Sequence, residues 1–251
     1  PIALSYALKR SAVSGGPYAV VQAGLTTPAF VDSGLTAGTT YYYVVTATNS
    51  GGEGPVSAQV SAAPTPSWLS QDVGTVPATG SWSQASGVFT VRGSGADVWG
   101  TADAFRFVYV SLAGNVTITA RVTSIQNVNS WSKAGVMMRS GLTAGAANMY
   151  MLTSPTATNG HRIQNRDTAS GTTVSTQATG NGTAPVWVRL VRSGNNFSAF
   201  YSSNGTTFTA VGPTRAITMA SAIQIGLAVT SHSTTTTLAA GVFDNVTVTM
   251  P

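Results

Sequence analysis

Short runs in which apolar and polar residues alternate recur along almost the whole chain, separated by clusters of Gly, Pro, Asn and Ser. Residues 116–122 send Val116, Ile118, Ala120 and Val122 to one face and Thr117, Thr119 and Arg121 to the other. Ile223, Ile225, Leu227 and Val229 alternate in the same way, with Gln224 and Thr230 opposite. An Asn204-Gly205 turn signal separates residues 197–201 from a further apolar run at 208–211. Signals for helices are nearly absent. A period of two over short segments, punctuated by turns, restricts such a chain to an all-β sandwich or jelly roll.

The chain of 251 residues is long enough for one large domain or two small ones. One segment reads as a linker: Pro64 and Pro66 stand close together in a run of small residues, and neither can donate to a strand ladder. This predicts one domain at residues 1–62, a linker at 63–67 and a second domain at 68–251. Only 8% of residues are charged, about a third of the usual share, while 43% are hydrophobic. Such a chain folds rather than staying disordered. Low charge with many hydroxyls and amides suits a secreted, extracellular or cell-surface protein. The net charge of +5 does not make a nucleic-acid partner, because the basic residues are scattered and Lys9-Arg10 is the only adjacent pair. No apolar run reaches the ~18 residues needed for a membrane span. Cysteine is absent, so disulfides and thiolate metal sites are excluded. The chain opens inside a β-pattern at Pro1 to Leu4, with no signal peptide in view.

Residues 5–11 (Ser-Tyr-Ala-Leu-Lys-Arg-Ser), 15–21 (Gly-Gly-Pro-Tyr-Ala-Val-Val) and above all 30–47 carry a resemblance to a fibronectin type III domain. Tyr41 falls where such sandwiches place their corner tyrosine. The resemblance implies an incomplete sandwich: the two strands that normally come before residue 5 are not in the sequence. That leaves the expectation of an open apolar face able to drive self-association.

Residues 68–251 resemble the concanavalin A-like jelly rolls appended to bacterial glycoside hydrolases of the β-xylosidase type and to other secreted proteins. The matching motifs are residues 93–105 (Gly-Ser-Gly-Ala-Asp-Val-Trp-Gly-Thr-Ala-Asp-Ala-Phe), 131–139 (Trp-Ser-Lys-Ala-Gly-Val-Met-Met-Arg), 187–192, 226–232 and 243–246. Several members place Glu where this chain has Ser140, and many have His where it has Arg106. The resemblance implies a non-catalytic module of a larger secreted bacterial protein that binds a polysaccharide or glycan. The competing expectation is a structural subunit of an extracellular filament or matrix, joined by strand complementation of the incomplete N-terminal domain. No cofactor is expected; a structural calcium in a jelly-roll loop is left open.

The residues themselves argue against catalysis. Glycoside hydrolysis takes two carboxyl groups ~5–10 Å apart, and the sole glutamate, Glu53, lies in the other domain. Asp97 and Asp103 share one motif and read as loop-fixing residues. Ser231 and His232 are adjacent on a strand pattern, so they point to opposite faces and cannot form a nucleophile–base pair. Two histidines and no H-E-x-x-H leave no catalytic zinc site.

A sugar is held by stacking its apolar ring face on an aromatic side chain while planar polar groups take its hydroxyls. The candidates are therefore Trp99 and Trp131, each in a polar, turn-rich setting, with Arg139, Arg162, Gln164 and Arg166 on strand faces. The period of two places Arg162, Gln164 and Arg166 on one side of their strand, opposite Ile163. Trp187 and Met137, Met138, Met149 and Met151 read as core.

Overall fold

The computed structural model describes residues 3–33, 35, 39–64 and 67–250, and among them there is no helix. The chain divides into two compact units, residues 1–67 and 68–251. Thr65 and Pro66, at the centre of the expected linker, lie outside the described residues.

The first unit is a single antiparallel sheet. Its strands are β1 (Ser5–Ser11), β2 (Ala19–Leu25), β3 (Tyr41–Asn49), β4 (Gly52–Glu53) and β5 (Val60–Ala62), in the order β2-β1-β3-β4, with β5 also paired to β3. Tyr6, Leu8 and Arg10 lie opposite Ala47, Val45 and Tyr43, so these side chains share one face. Asp32 fastens an extended segment to the sheet by accepting from Arg10 and from the Tyr43 hydroxyl. Tyr6, Val45 and Phe30 nevertheless stay exposed around a hollow that Leu8 and Leu25 also line. Among the described residues of this unit no second sheet covers that face.

The second unit is a two-sheet antiparallel sandwich. Its strands begin with β6 (Leu69–Val73), β7 (Ser81–Ala85), β8 (Val88–Gly93), β9 (Val98–Trp99), β10 (Ala102–Asp103) and β11 (Phe105–Ala113). The middle of the unit supplies β12 (Val116–Ile125), β13 (Lys133–Arg139), β14 (Asn148–Thr153), β15 (His161–Arg166) and β16 (Val174–Gln177). The remainder is β17 (Val186–Ser193), β18 (Asn196–Ser202), β19 (Thr209–Ala210), β20 (Arg215–Ala216), β21 (Ala222–Thr230) and β22 (Ala239–Thr249). A seven-stranded sheet runs β16-β15-β14-β13-β21-β11-β6, and an eight-stranded sheet runs β19-β18-β17-β12-β22-β8-β7 with β20 on β18.

The alternation read from the sequence sets the main core. Val136, Met138, Met149, Met151, Ile163, Ile225 and Leu227 face the second sheet, which answers with Ile118, Ala120, Val122, Val188, Leu190 and Phe243. The four methionines expected in the core are all fully buried.

The outer face of the seven-stranded sheet is buried too. Phe105, Phe107, Tyr109, Met137, Tyr150, Leu152 and Ala228 form a second apolar cluster there, joined by Val73 and Val98. Its lid is the β9–β10 hairpin. Gly100, at φ +57, opens the two-residue turn between paired Trp99 and Ala102, a place that favours glycine. Period two then turns Val98 and Asp103 inward and leaves Trp99 out, 45% exposed. Gly95, at φ +125 with a Cβ position only 2.0 Å from Ala104 O, lets the chain pass close beneath.

Candidate functional site

The outer face carries two polar clusters, one sealed and one open. The sealed cluster is built on Asp103. Arg139 and Arg166 stand at paired positions on either side of Asn148, and all three side chains turn toward Asp103. Arg166 Nη2 and Nη1 donate to the two carboxylate oxygens at 2.6 and 2.8 Å; Arg139 Nη1 and Asn148 Nδ2 reach Oδ2 at 3.3 Å. Two guanidiniums face one carboxylate, and backbone carbonyls take up the excess charge. Arg139 donates to Gly141 O and Thr143 O, and Arg166 to Ala144 O, Gly171 O, Trp99 O and Gly100 O. Burial pulls the Arg139 guanidinium down to about 10 against the opposing pull of Asp103.

This corrects the expectation for two residues. Arg139 and Arg166 lie on the same sheet face, as their strand parity requires, yet neither has any exposed surface. They are not presented to a ligand. The reason is the lid: Asp103 arrives from β10, and the carbonyls of the Trp99–Gly100 turn complete the coordination of Arg166. Arg166 is thus the fastening that holds the turn presenting Trp99.

The open cluster lies where the lid ends. Asp97, Trp99, Trp131, Lys133, Arg162, Gln164, Ser175 and His232 line a cavity of about 290 Å³. Lys133 starts β13, Arg162 and Gln164 alternate along β15, and Ser175 is the cross-strand partner of Gln164 on β16. Trp131 comes from the preceding loop, where its backbone N–H donates to Asn129 Oδ1 and Asn159 Nδ2 ties Ser130 O down. Both Arg162 and Lys133 lie over the Trp131 ring, at 5.0 and 5.5 Å from its centroid.

The cavity's one lining carboxylate, Asp97, is already engaged. Its Oδ1 accepts from the Lys133 ammonium and from Val98 N–H, and its Oδ2 stands 3.2 Å from His232 Nε2. Burial pushes Lys133 below the usual ammonium range while Asp97 pulls it back up. Burial likewise lowers Arg162, whose Nε donates to Asn159 O and Nη2 to Gln177 Oε1.

Two of the lining residues carry a buried oxygen without a partner: Gln164, 2% exposed, through Oε1, and Ser175 through Oγ. Such an atom costs ~1–3 kcal/mol, and Asn148 Oδ1 in the sealed cluster shares the condition.

Four of the six expected residues, Trp99, Trp131, Arg162 and Gln164, therefore come together in this cavity. Sequence reasoning missed Asp97, Lys133, Ser175 and His232. Asp97 read as a loop-fixer, and Ser175 sits in a Ser/Thr-rich run that gives no cue. For Lys133 a cue existed: its period-two relation to Met137 and Arg139 put it on the outer face. Among the described residues no group of three His, Cys, Asp or Glu side chains is placed to hold a metal. Nor, among the described residues, is any helix long and apolar enough to cross a membrane.

No family model matches the chain, and no curated protein matches it. Solved structures do. A functionally unknown protein from Saccharomyces cerevisiae is 17% identical, with 74% of this chain and 96% of that one covered and a TM-score of 0.55. A xylan β-1,4-xylosidase from Bacillus halodurans C-125 is 12% identical over 97% of this chain and 60% of that one, with a TM-score of 0.50. The carbohydrate-binding module CBM66 from Bacillus subtilis is 16% identical, covering 73% and 95% of the two chains, at a TM-score of 0.47. At such identities the first two are likenesses of fold alone, and function has to be argued from the site.

Proposed function

We propose that the second unit is a non-catalytic carbohydrate-binding module and that the cavity between Trp99 and Trp131 is its site. The observation that carries this is a cavity rimmed by two indoles, one of them well exposed, with the planar polar groups of Arg162 and Gln164 in its lining. The exposed Trp99 offers a flat apolar surface for a sugar ring, and the Arg162 guanidinium beside it suits the ring's hydroxyls. At about 290 Å³ the cavity sits at the small end of ligand sites, a size for one or two sugar rings rather than a long groove-bound chain. Hydrolysis would need a second carboxylate beside Asp97, and Asp103 is locked under the lid by two arginines.

On this reading residues 68–251 are a concanavalin A-like jelly roll, residues 1–62 are a fibronectin type III-like unit, and both belong to a larger secreted bacterial protein. The filament alternative has no observation of its own beyond the exposed apolar face of the N-terminal sheet, and glycan binding is the reading we adopt. The test is a glycan array probed with the wild type and with Trp99→Ala. Binding by the wild type at micromolar affinity or better, lost in a folded Trp99→Ala, supports the module. Silence of the wild type across the array, or binding that Trp99→Ala leaves untouched, overturns it.

A further inference from the structure

The chain has seven carboxylate side chains and twelve lysines and arginines. Every one of the seven is in an ion pair: Glu53 with Lys9, Asp32 with Arg10, Asp72 with Arg106, Asp244 with Arg121, Asp167 with Arg215, Asp97 with Lys133, and Asp103 with Arg139 and Arg166. That leaves Arg92, Arg162, Arg189 and Arg192 with no carboxylate among the described residues. Arg189 is stacked 3.5 Å over Phe208 and donates to Thr119, while Arg192 is satisfied by the carbonyls of Gly194, Ser221 and Ala220. Arg92 lies on the exposed side of β8. Arg162 lines the cavity described above.

Its surroundings are arranged to leave that charge available. Asn159 O and Gln177 Oε1 fix the guanidinium through Nε and Nη2, both neutral partners, and Nη1 has no hydrogen-bond partner among the described residues. Asp97 cannot neutralise it, being engaged by Lys133 and His232. The cavity therefore holds a net positive charge with one guanidinium nitrogen unused, beside the polar side chains of Gln164 and Ser175. A neutral sugar would leave that charge half-buried and unmatched. A sugar bearing a carboxylate matches it.

Resting on the glycan-binding reading above, we propose that this site selects a uronic acid residue. Its carboxylate accepts from Arg162 Nη1 and its ring lies against Trp99.

The experiment is titration calorimetry in EDTA-containing buffer, so that no calcium bridges the partners. The probes are oligomers of galacturonic, glucuronic and mannuronic acid, each paired with the same oligomer whose carboxylates have been reduced to primary alcohols. At least one oligouronate should bind about tenfold or more tightly than its reduced counterpart, the effect of one charge-assisted hydrogen bond. That preference should shrink as sodium chloride is raised from 50 to 500 mM. Arg162→Gln, with its fold checked by circular dichroism, should bring the two members of the pair together by weakening the acid alone. Equal or tighter binding of the reduced oligomer overturns the uronate proposal and leaves glycan binding standing, as does array binding confined to neutral glycans. A preference that persists in Arg162→Gln overturns the role given to Arg162. Failure of the wild type to bind any glycan overturns the underlying reading as well.

Discussion

Along β15 the side chains of Arg162, Gln164 and Arg166 share one face, yet the two ends of that row have opposite fates. At one end Arg166 is closed under the β9–β10 hairpin, with its donors shared among Asp103, Thr173 and carbonyl oxygens of neighbouring loops. At the other end Arg162 opens into a cavity with a donor to spare. The difference is made by what the hairpin delivers. Where it brings a carboxylate and a turn full of carbonyls, arginine becomes a structural rivet; where it stops, the same residue type lines an open cavity. Trp99 joins the two regions, since its own carbonyl is held in the sealed cluster while its indole rims the open one.

The comparison breaks most visibly at Asp103. Asp103→Ala leaves two guanidiniums buried with no counter-charge, and urea denaturation should show a loss on the order of 3–5 kcal/mol. A loss under ~1 kcal/mol would mean that the sealed cluster holds nothing together. Trp99→Ala should do the reverse, leaving stability within ~1 kcal/mol because the indole is exposed, while weakening sugar binding by about thirtyfold or more.

Gln164→Met sharpens the contrast further. It removes an unpaired acceptor from the free protein, so stability should hold or rise by up to about 1 kcal/mol while sugar affinity falls several-fold. Parallel losses of stability and affinity would make Gln164 a packing residue. The smallest effect comes from the inner side of β15. Burial holds the His161 imidazole below its ordinary value of 6.5, so the unfolded chain takes up a proton more readily than the folded one. Stability from this residue is present above pH 6.5 and drains away below it, giving a shallow acid-side loss in thermal melts that His161→Gln should flatten.

The all-β class, the core positions and four cavity residues were legible because period two and turn signals are local. Strand parity put Arg162, Gln164, Arg166 and Arg139 on their correct face. Burial on that face was not legible, because it depends on the β9–β10 hairpin folding back over the sheet from some sixty residues upstream of β15. Lys133, Met137 and Arg139 share one strand face, yet a lysine, a methionine and an arginine give no pattern that announces a buried surface. The same long-range closure hid Asp97, which reads as a loop residue until its Lys133 and His232 partners are seen.

The most direct measurement is NMR of the indole N–H and arginine Nε–H signals during titration with a bound oligosaccharide. Trp99, Trp131 and Arg162 should shift together with a common dissociation constant while Arg139 and Arg166 stay in place. Shifts confined to Arg139 and Arg166, or to tryptophans outside the cavity such as Trp68, Trp82 and Trp187, would contradict a site between Trp99 and Trp131.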